Sequence, residues 1–398
     1  MQDSHSLIAT LAIGFAWAFA FGMLAARIGL PTIVGYLLAG IVVGPFTPGF
    51  VADTKLAPQL AEIGVIFLMF GVGLHFSLKD LLSVWRIAVP GAIGQIAVAT
   101  AMGAAAAHFF GWTLAAGIVF GLALSVASTV VLLRALEAED AVETPDGRLA
   151  VGWLVVEDLV MVLALVLLPV FARTGAAGFA SAATLPIIGI ALLKVAIFAV
   201  LMLVVGTRAL PWVLGRVDRL HSRELLLLCG LALALGIAFG AAELFGVSYA
   251  LGAFLAGVVL NGSPLGHRVA NQLLPFRDAF AVLFFVAVGM AFDPSILMRQ
   301  PLALAVTVAI VVVGKSIAAF LIVIALGEPA RTGYRVAAAL AQIGEFSFIV
   351  AAMAVALGVM PAEGNGLILG GALISILVNP LAFRAAQAFA GNPTTKAM

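Results

Sequence analysis

The segment Gly29-Leu-Pro-Thr-Ile-Val-Gly35-Tyr-Leu-Leu-Ala39-Gly40-Ile-Val decides the fold, because a later part of the chain repeats its pattern. It matches Gly246-Val-Ser-Tyr-Ala-Leu-Gly252-Ala-Phe-Leu-Ala256-Gly257-Val-Val at an offset of 246 − 29 = 217 residues. The next apolar run continues the match, with Val72-Gly73-Leu-His-Phe against Val288-Gly289-Met-Ala-Phe at 289 − 73 = 216. Two consecutive matches at nearly one offset indicate an internal repeat rather than shared hydrophobicity alone.

The composition identifies an integral membrane protein. The chain is 64% hydrophobic and 10% charged, against roughly 25% charged residues in soluble domains. Repeated apolar runs of about 20 residues predict membrane-spanning helices rather than barrel strands. A net charge of +1 argues against a nucleic-acid partner, and the single Cys229 excludes a disulfide framework. Because residues 1–6 lack a basic n-region, we expect the first apolar run to be a mature helix and not a cleaved signal peptide.

Polar, proline and glycine clusters divide the chain into thirteen predicted spans, an all-α polytopic fold. The spans cover roughly residues 6–26, 30–45, 58–75, 86–107, 112–134, 149–172, 183–207, 224–243, 247–262, 276–292, 301–326, 332–357 and 364–388. The repeated segments are seven spans apart, and an odd separation reverses direction across the membrane. We therefore expect a single transmembrane unit over residues 1–398, built from inverted repeats at about 29–207 and 246–388, with a site between the halves.

The distribution of basic residues predicts the orientation of the chain. With the N-terminus outside, fifteen Lys and Arg residues fall in inward loops and the C-terminal tail, and three, Lys55, Arg173 and Arg299, fall in outward loops. The remaining two of the twenty, Lys194 and Lys315, fall within spans. This bias predicts an outside N-terminus and a cytoplasmic C-terminus.

The repeat offset places two polar islands opposite each other in the middle of long spans. Residues 125–129 correspond to residues 342–346. If both islands interrupt their helices, free carbonyls and half-helix dipoles face each other at the midplane, where they can coordinate a cation. The candidate ligands at these breaks are Ser125, Ser128, Thr129, Gln342 and Glu345.

Glu157 and Asp158 lie side by side near the middle of an apolar run from about Leu149 to Phe171. An ionised carboxylate at the centre of a membrane helix costs about 2.5 to 3.5 kcal/mol on insertion scales, which favours a functional role. The alternative is a helix-end pair that faces the cytosol. Because adjacent helix positions point about 100° apart, the two carboxylates are expected to have different partners. Burial disfavours the charged form of a carboxyl group, so a proton and a metal cation can compete for the same oxygens.

Other intramembrane charges carry weaker signals. Lys315 lies well inside its span, and both a structural salt bridge and a functional pairing with Glu157 require an acidic partner. Lys194 has no assigned partner, and Glu62 is expected at a helix end or in a structural role. Glu345 fits either a structural bridge at the break or a contribution to the field of the site. The five histidines fall near span ends or in loops, so a histidine metal site is not expected.

The order of these motifs resembles the monovalent cation/proton antiporter superfamily, particularly its Kef-type potassium/proton branch. The resemblance runs from about residue 8 to 388 and rests on residues 30–45, 68–74, Ser128-Thr129, 252–257, 284–290 and 342–346. It implies thirteen helices with two crossed discontinuous helices, a dimerisation domain beside a mobile core domain, and elevator-like alternating access. It also implies that Asp158 binds the ion, with Glu157 before it and Lys315 on the lysine-bearing helix.

Two departures from the Kef pattern affect what the resemblance implies. Kef-type systems usually carry Gln before the Asp, whereas Glu157 is closer to the paired acids of electrogenic sodium antiporters. Such proteins also often carry a cytoplasmic nucleotide-binding regulatory domain, and this chain stops about ten residues after its last span. We therefore expect either a shortened chain or a member without that control.

The sequence predicts a secondary transporter of the plasma membrane and not an enzyme. It is expected to exchange K⁺, or Na⁺, for H⁺ at Asp158, to require no cofactor and to form a homodimer. A gated cation channel without proton coupling is the alternative. An intramembrane hydrolase is disfavoured because the sequence has neither two catalytic aspartates in hydrolase-like motifs nor a buried Ser/His pair.

Overall fold

A computed structural model describes residues 2–48, 51–53, 56–75, 78–137, 140–142, 144–179, 185–263 and 265–390. Lys55 and Lys396, which entered the charge count, lie outside the described residues. Within the described part the chain forms helices and no strands, which confirms the predicted all-α class.

In chain order the helices are α1 (Gln2–Arg27), α2 (Thr32–Val43), α3 (Leu56–His75), α4 (Leu78–Phe109), α5 (Leu114–Ser125), α6 (Thr129–Glu137), α7 (Pro145–Phe179), α8 (Leu185–Leu201), α9 (Thr207–Asp218), α10 (Arg223–Phe245), α11 (Tyr249–Asn261), α12 (Gly266–Met290), α13 (Ile296–Arg299), α14 (Pro301–Ala309), α15 (Lys315–Ala325), α16 (Ala330–Ala339), α17 (Glu345–Ala356) and α18 (Ala362–Ala390). Single π-helical turns join α8 to α9 and α14 to α15.

The membrane-spanning segments agree with the thirteen predicted spans. Among the described residues, nine helical segments are long and apolar enough to cross a bilayer, and four shorter apolar helices, α2, α5, α11 and α17, complete the series. Two spans are interrupted: residues 126–128 separate α5 from α6, and residues 340–344 separate α16 from α17. The interruptions coincide with the two polar islands of the sequence. Asn, Gln and Ser favour such breaks because their side chains can hydrogen-bond to the backbone groups that the break frees. Gly favours them because it has no side chain to restrict non-helical backbone.

The helices form two bundles. Helices α1–α3 and α8–α12 pack mainly on one another and are called the scaffold bundle; α4–α7 and α13–α18 pack mainly on one another and are called the core bundle. Each bundle takes helices from both predicted repeats, so neither repeat forms a compact unit by itself. Both interrupted spans, α7 with its two acids, and α15 with its lysine belong to the core bundle.

The glycines of the repeated segment make repeat-related contacts inside the scaffold bundle. Gly40 on α2 lies against α12, where an added Cβ would come within 2.1 Å of the Val286 carbonyl oxygen. Gly257 on α11 lies against α3 in the same way, at 2.3 Å from the Phe70 carbonyl oxygen. The partner helices present Gly289 and Gly73 at these crossings. Only glycine permits this approach, which explains why the sequence repeats these positions.

We expect Gly257→Ala to destabilise the protein, because its new Cβ would meet backbone that has no rotamer by which to yield. The loss should be about 1 to 3 kcal/mol, the usual range for overpacking. Thermal unfolding in detergent would measure it. Gly236→Ala on α10 is the matched control, since a Cβ there meets nothing within 4 Å. Equal melting temperatures for the two variants would contradict the proposed role of the crossing.

Candidate ion-binding site

The two interrupted spans cross at residues that the repeat relates. The backbone N–H of Gly344 donates to the Val126 carbonyl at 3.0 Å. A Cβ at Gly344 would lie 2.4 Å from the Ala127 carbonyl oxygen, so the second break requires glycine at this point. The offset 344 − 127 = 217 equals that of the first repeated segment. The crossing predicted from the repeat is therefore present, and the two breaks are bonded directly to each other.

The Gln342 side chain holds the two breaks together. Its Oε1 accepts a hydrogen bond from the Ser128 backbone N–H at 2.9 Å, and its Nε2 donates to the Ser128 carbonyl at 3.2 Å. The Gln342 amide thus bonds both backbone groups of Ser128. It can do this because an amide carries a donor and an acceptor. Gln342, predicted as a cation ligand, uses its side chain to replace backbone hydrogen bonds that the break removes.

Two amides that the sequence reasoning did not single out cap the half-helices that enter the breaks. Gln95 on α4 donates to the carbonyl of Ser125, the last residue of α5, at 3.0 Å. Asn379 on α18 donates to the Ala338 carbonyl in the last turn of α16 at 2.9 Å. Both side chains are buried. Each is an amide in the interior of an apolar span, and that is the signal by which it could have been found.

The two neighbouring acids of α7 have different partners, as predicted from their positions. Glu157 is fully buried, and its Oε2 accepts from the Ala127 backbone N–H at 2.8 Å. Asp158 is 5% exposed, and its Oδ2 accepts from the Thr129 hydroxyl at 3.2 Å. The Oδ1 atom of Asp158 is buried without a hydrogen-bond partner among the described residues. Glu157 likewise keeps one buried oxygen, Oε1, without a hydrogen-bond partner among the described residues. The two acids differ in their partner, which is backbone of the break for Glu157 and a side-chain hydroxyl for Asp158.

Glu345 begins α17 and is the third buried carboxylate near the breaks. Its charge and that of Glu157 both act on Asp158. Ser128 and the Glu345 backbone N–H lie near the Glu345 carboxylate, yet neither makes a hydrogen bond of normal geometry to it among the described residues. Both carboxylate oxygens of Glu345 are thus buried without a hydrogen-bond partner among the described residues, and its role as a ligand stays a prediction.

Lys315 lies at the C-terminal ends of the half-helices α5 and α16. Its buried Nζ donates to the Gln342 carbonyl at 2.9 Å and makes a longer contact of 3.5 Å to the Leu124 carbonyl in the last turn of α5. A π-helical turn, Ile310–Gly314, directly precedes it. A cation at helix C-termini is stabilised by the helix dipole. Lys315 thus balances both C-terminal ends that point into the crossing.

The predicted pairing of Lys315 with Glu157 is a charge interaction and not a direct contact. Their charges interact, but no ion pair within 4.0 Å joins them among the described residues. Each instead bonds to backbone of the breaks, Glu157 to an N–H and Lys315 to carbonyls. The half-helix ends lie between the two charges and provide nearer partners.

The remaining candidates have local roles. The Ser125 hydroxyl donates back to the Leu122 carbonyl at 2.7 Å, and the Ser128 hydroxyl accepts from the Val131 N–H at 3.3 Å. Thr129 is accordingly the hydroxyl that contacts Asp158. Lys194 is exposed on α8, with its Nζ 3.8 Å from where a Cβ of Gly246 would lie, at the C-terminus of α10. A helix C-terminus is a favourable position for a cation.

A cavity of about 770 Å³ lies between the two bundles. Scaffold residues such as Tyr249 and Phe284 line one wall, and core residues such as Leu165 and Phe348 line the other. Leu165 is seven residues beyond Asp158 on α7, roughly 10 Å along the helix. Toward the other end of α7, Trp153 and Leu154 are buried. Met161, which lies between Asp158 and Leu165, is buried as well, so the cavity ends short of Asp158.

The site offers oxygen atoms of mixed charge. Within the described residues, no three His, Cys, Asp or Glu side chains are grouped so as to hold a metal ion. Cation binding at Asp158 would therefore combine a carboxylate with neutral oxygens, namely the Thr129 hydroxyl and carbonyls of the breaks. Hard cations accept such oxygen ligands, and a proton can occupy the same carboxylate when the cation is absent.

Comparisons with known proteins agree with this architecture. A family model described as "Sodium/hydrogen exchanger, transmembrane" matches residues 14–386. YbaL of Escherichia coli (strain K12), named as a cation/proton antiporter, is 56% identical over 396 residues, which are 99% of this chain and 71% of YbaL. K(+) efflux antiporter 4 of Arabidopsis thaliana is 33% identical over 388 residues, which are 96% of this chain and 64% of the plant protein. The solved structure of the sodium proton antiporter MjNhaP1 from Methanocaldococcus jannaschii superposes with a TM-score of 0.76 at 17% identity, covering 98% of this chain and 100% of MjNhaP1.

We expect Lys315→Met to destabilise the protein strongly, because it leaves the Gln342 carbonyl unbonded and removes the positive charge that acts on Glu157. Removing one partner of a buried charge interaction costs on the order of 3 to 5 kcal/mol. Lys315→Gln should lose less, since its amide can still donate to the carbonyl. Thermal unfolding of both variants in detergent would test this, with the exposed Lys194→Met as control. A Lys315→Met protein as stable as the Lys194→Met protein would contradict the assignment.

Proposed function

Because this chain belongs to the sodium/hydrogen exchanger family of membrane proteins, we propose that it exchanges a monovalent cation for protons at Asp158. The single observation that carries this proposal is the arrangement of Asp158 oxygens. Oδ2 is held by Thr129, and Oδ1 is buried without a partner among the described residues, directly beside the crossed breaks. A carboxylate in this position is stable only with a bound proton or a bound cation, so one ion replaces the other.

In the proposed cycle, Asp158 releases its proton to the open cavity and binds a cation from it. The core bundle then moves relative to the scaffold bundle and carries the bound ion to the other membrane face. Two features support this elevator-type motion. The cavity lies between the bundles, and the close glycine crossings hold α2, α3, α11 and α12 together as one rigid unit.

Potassium is the favoured cation, with sodium as the second candidate. The relative from Arabidopsis is named for K⁺ efflux, and the motifs resemble the Kef-type branch. Sodium is supported by Glu157, which gives the chain the paired acids of electrogenic sodium antiporters. Serine, threonine and carbonyl oxygens accept either ion, so the choice is decided by measurement.

Glu157 is proposed to set the charge that moves in each cycle. It lies in the core bundle together with Asp158, Glu345 and Lys315, and these groups would move as one body. One elementary charge that crosses the membrane potential is worth about 2.3 kcal/mol per 100 mV. The dependence of exchange on an imposed voltage therefore reports how many of these charges are neutralised by protons or cations.

The family membership and the nine long apolar helical segments of the described residues establish a multi-pass membrane protein. We propose the bacterial-type plasma membrane as its location, with the N-terminus outside. In that orientation the cavity opens outward. A homodimer and a cytoplasmic nucleotide-binding regulatory domain remain predictions of the family resemblance. YbaL and the plant relative both extend beyond the region that this chain matches.

The alternative is a gated cation channel that uses the same acidic site. A channel would conduct the cation without moving protons in the opposite direction. In the described structure the cavity does not reach Asp158, and α7 residues on both sides of it, such as Leu154 and Met161, are buried. A site without an open route through it, among the described residues, favours alternating access over a continuous pore.

We expect Asp158→Asn to abolish exchange, because an amide neither binds a proton nor balances a cation. Proton flux in liposomes, with K⁺ and Na⁺ offered separately and with or without an imposed voltage, would measure the loss and the preferred cation. Glu363→Gln, an exposed acid at the start of α18, is the control. Cation-driven proton flux that persists in Asp158→Asn would overturn the proposal, and cation flux without proton movement in the native protein would support the channel.

A further inference from the structure

We propose that Glu62 and Asp278 are repeat-related carboxylates that recruit cations, one for each membrane face. This inference rests on the proposed exchange function and adds to it two access sites in the scaffold bundle. Neither acid belongs to the crossed breaks or touches Asp158 in any described contact. Their task would be to raise the local cation concentration at the mouth of the path and not to bind the ion during transport.

Glu62 on α3 gives the large cavity its charge. The cavity wall is mostly apolar, with Phe, Met and Ala side chains, and among the described residues Glu62 is the only charged group that lines it. The side chain is exposed and makes no hydrogen bond or ion pair with any described residue. An unpaired charge in a cleft with low-dielectric walls focuses its electric field into the cleft and concentrates counter-ions there. The expected occupant is a hydrated monovalent cation on its way to Asp158.

The repeat relates Glu62 to Asp278 on α12. The offset 278 − 62 = 216 is the one that relates Gly73 to Gly289 on the same two helices. Each acid precedes its glycine by the same distance, since 73 − 62 = 11 and 289 − 278 = 11. Eleven residues are close to three helical turns, so acid and glycine share one face of each helix. The acids therefore hold equivalent positions in the two halves of the scaffold.

The two acids lie on opposite sides of the contact between α3 and α12. These helices meet where the Phe67 and Phe280 ring centroids are 5.2 Å apart. Glu62 precedes Phe67 toward the start of α3, and Asp278 precedes Phe280 toward the start of α12. Because the repeats are inverted, these two helix starts point to opposite membrane faces.

The two acids have different surroundings. Glu62 faces the cavity of about 770 Å³. Asp278 is bonded to its neighbour Arg277, whose Nη2 and Nε lie 2.7 and 3.0 Å from Oδ1. The Arg277 side chain lies against Gly71 and lines a space of only about 10 Å³ between α3 and α12. Glu62 is thus the unpaired acid of an open cavity, whereas Asp278 is an exposed acid paired with its neighbour Arg277.

A labelling experiment tests the field of Glu62 without relying on transport. Cysteine replaces Ala352, an exposed residue of the cavity wall, in a Cys229→Ala background. Its reaction rates with a trimethylammonium and a sulfonate methanethiosulfonate reagent are compared. Glu62→Gln should lower the ratio of cationic to anionic rates by at least about threefold, the effect of one charge across roughly 7 Å of water. Glu62→Asp and Glu363→Gln should preserve the ratio, and high salt should reduce the difference. An unchanged ratio in Glu62→Gln overturns the role of Glu62.

A sided exchange assay tests the pair. In oriented liposomes, Glu62→Gln should raise the apparent KM for the cation about threefold only from the face where α3 begins. Asp278→Asn should do so only from the opposite face. Equal effects on both faces, or no effect of Asp278→Asn, overturn the repeat relationship. A native protein that fails to exchange ions while its labelling ratio still depends on Glu62 would refute the proposed function and leave the Glu62 field intact.

Discussion

The structure depends on one constraint: four half-helix ends meet in the middle of the core bundle, where water cannot satisfy them. Lys315 balances the C-terminal ends by donating to the Gln342 carbonyl and approaching that of Leu124. Glu157 accepts from the Ala127 N–H just before α6 begins. Amide side chains complete the set, with Gln342 bridging the breaks. Positive charge at C-termini and negative charge at N-termini is the favourable arrangement for helix dipoles.

This arrangement explains why Asp158 differs from the acid beside it. The breaks use Glu157 and Lys315, so those charges have fixed backbone partners. Glu157 and Asp158 each leave one carboxylate oxygen without a hydrogen-bond partner among the described residues, and Glu345 leaves both of its oxygens so. Asp158, however, is bonded only to a hydroxyl and not to backbone of the breaks. An acid without a backbone partner can exchange a proton for a cation. An acid that is bonded to backbone of the breaks cannot exchange its ion without losing that hydrogen bond.

The repeat made much of this site predictable. The offset of 217 residues predicted the crossing of Ala127 with Gly344, because an inverted duplication brings equivalent positions to one axis. The energetic rule against buried charges identified Glu157, Asp158 and Lys315. The same rule applied to amides in the interior of spans would have found Gln95 and Asn379. The charge interaction of Lys315 with Glu157 followed from the sequence, but the sequence does not show that backbone carbonyls are the nearer partners of Lys315. The π-helical turn before Lys315 could not be predicted, because no sequence pattern in an apolar segment indicates such a turn.

The central claim is that a proton and a cation compete for Asp158, and proton release on cation binding tests it most directly. Purified protein in detergent and weak buffer receives K⁺ or Na⁺, with choline as the control for ionic strength, while the pH is recorded without any gradient. The account predicts that the native protein releases protons in a saturable way with at least one of the two cations and that Asp158→Asn releases none. No release from the native protein with either cation, or the same release from Asp158→Asn, would contradict it.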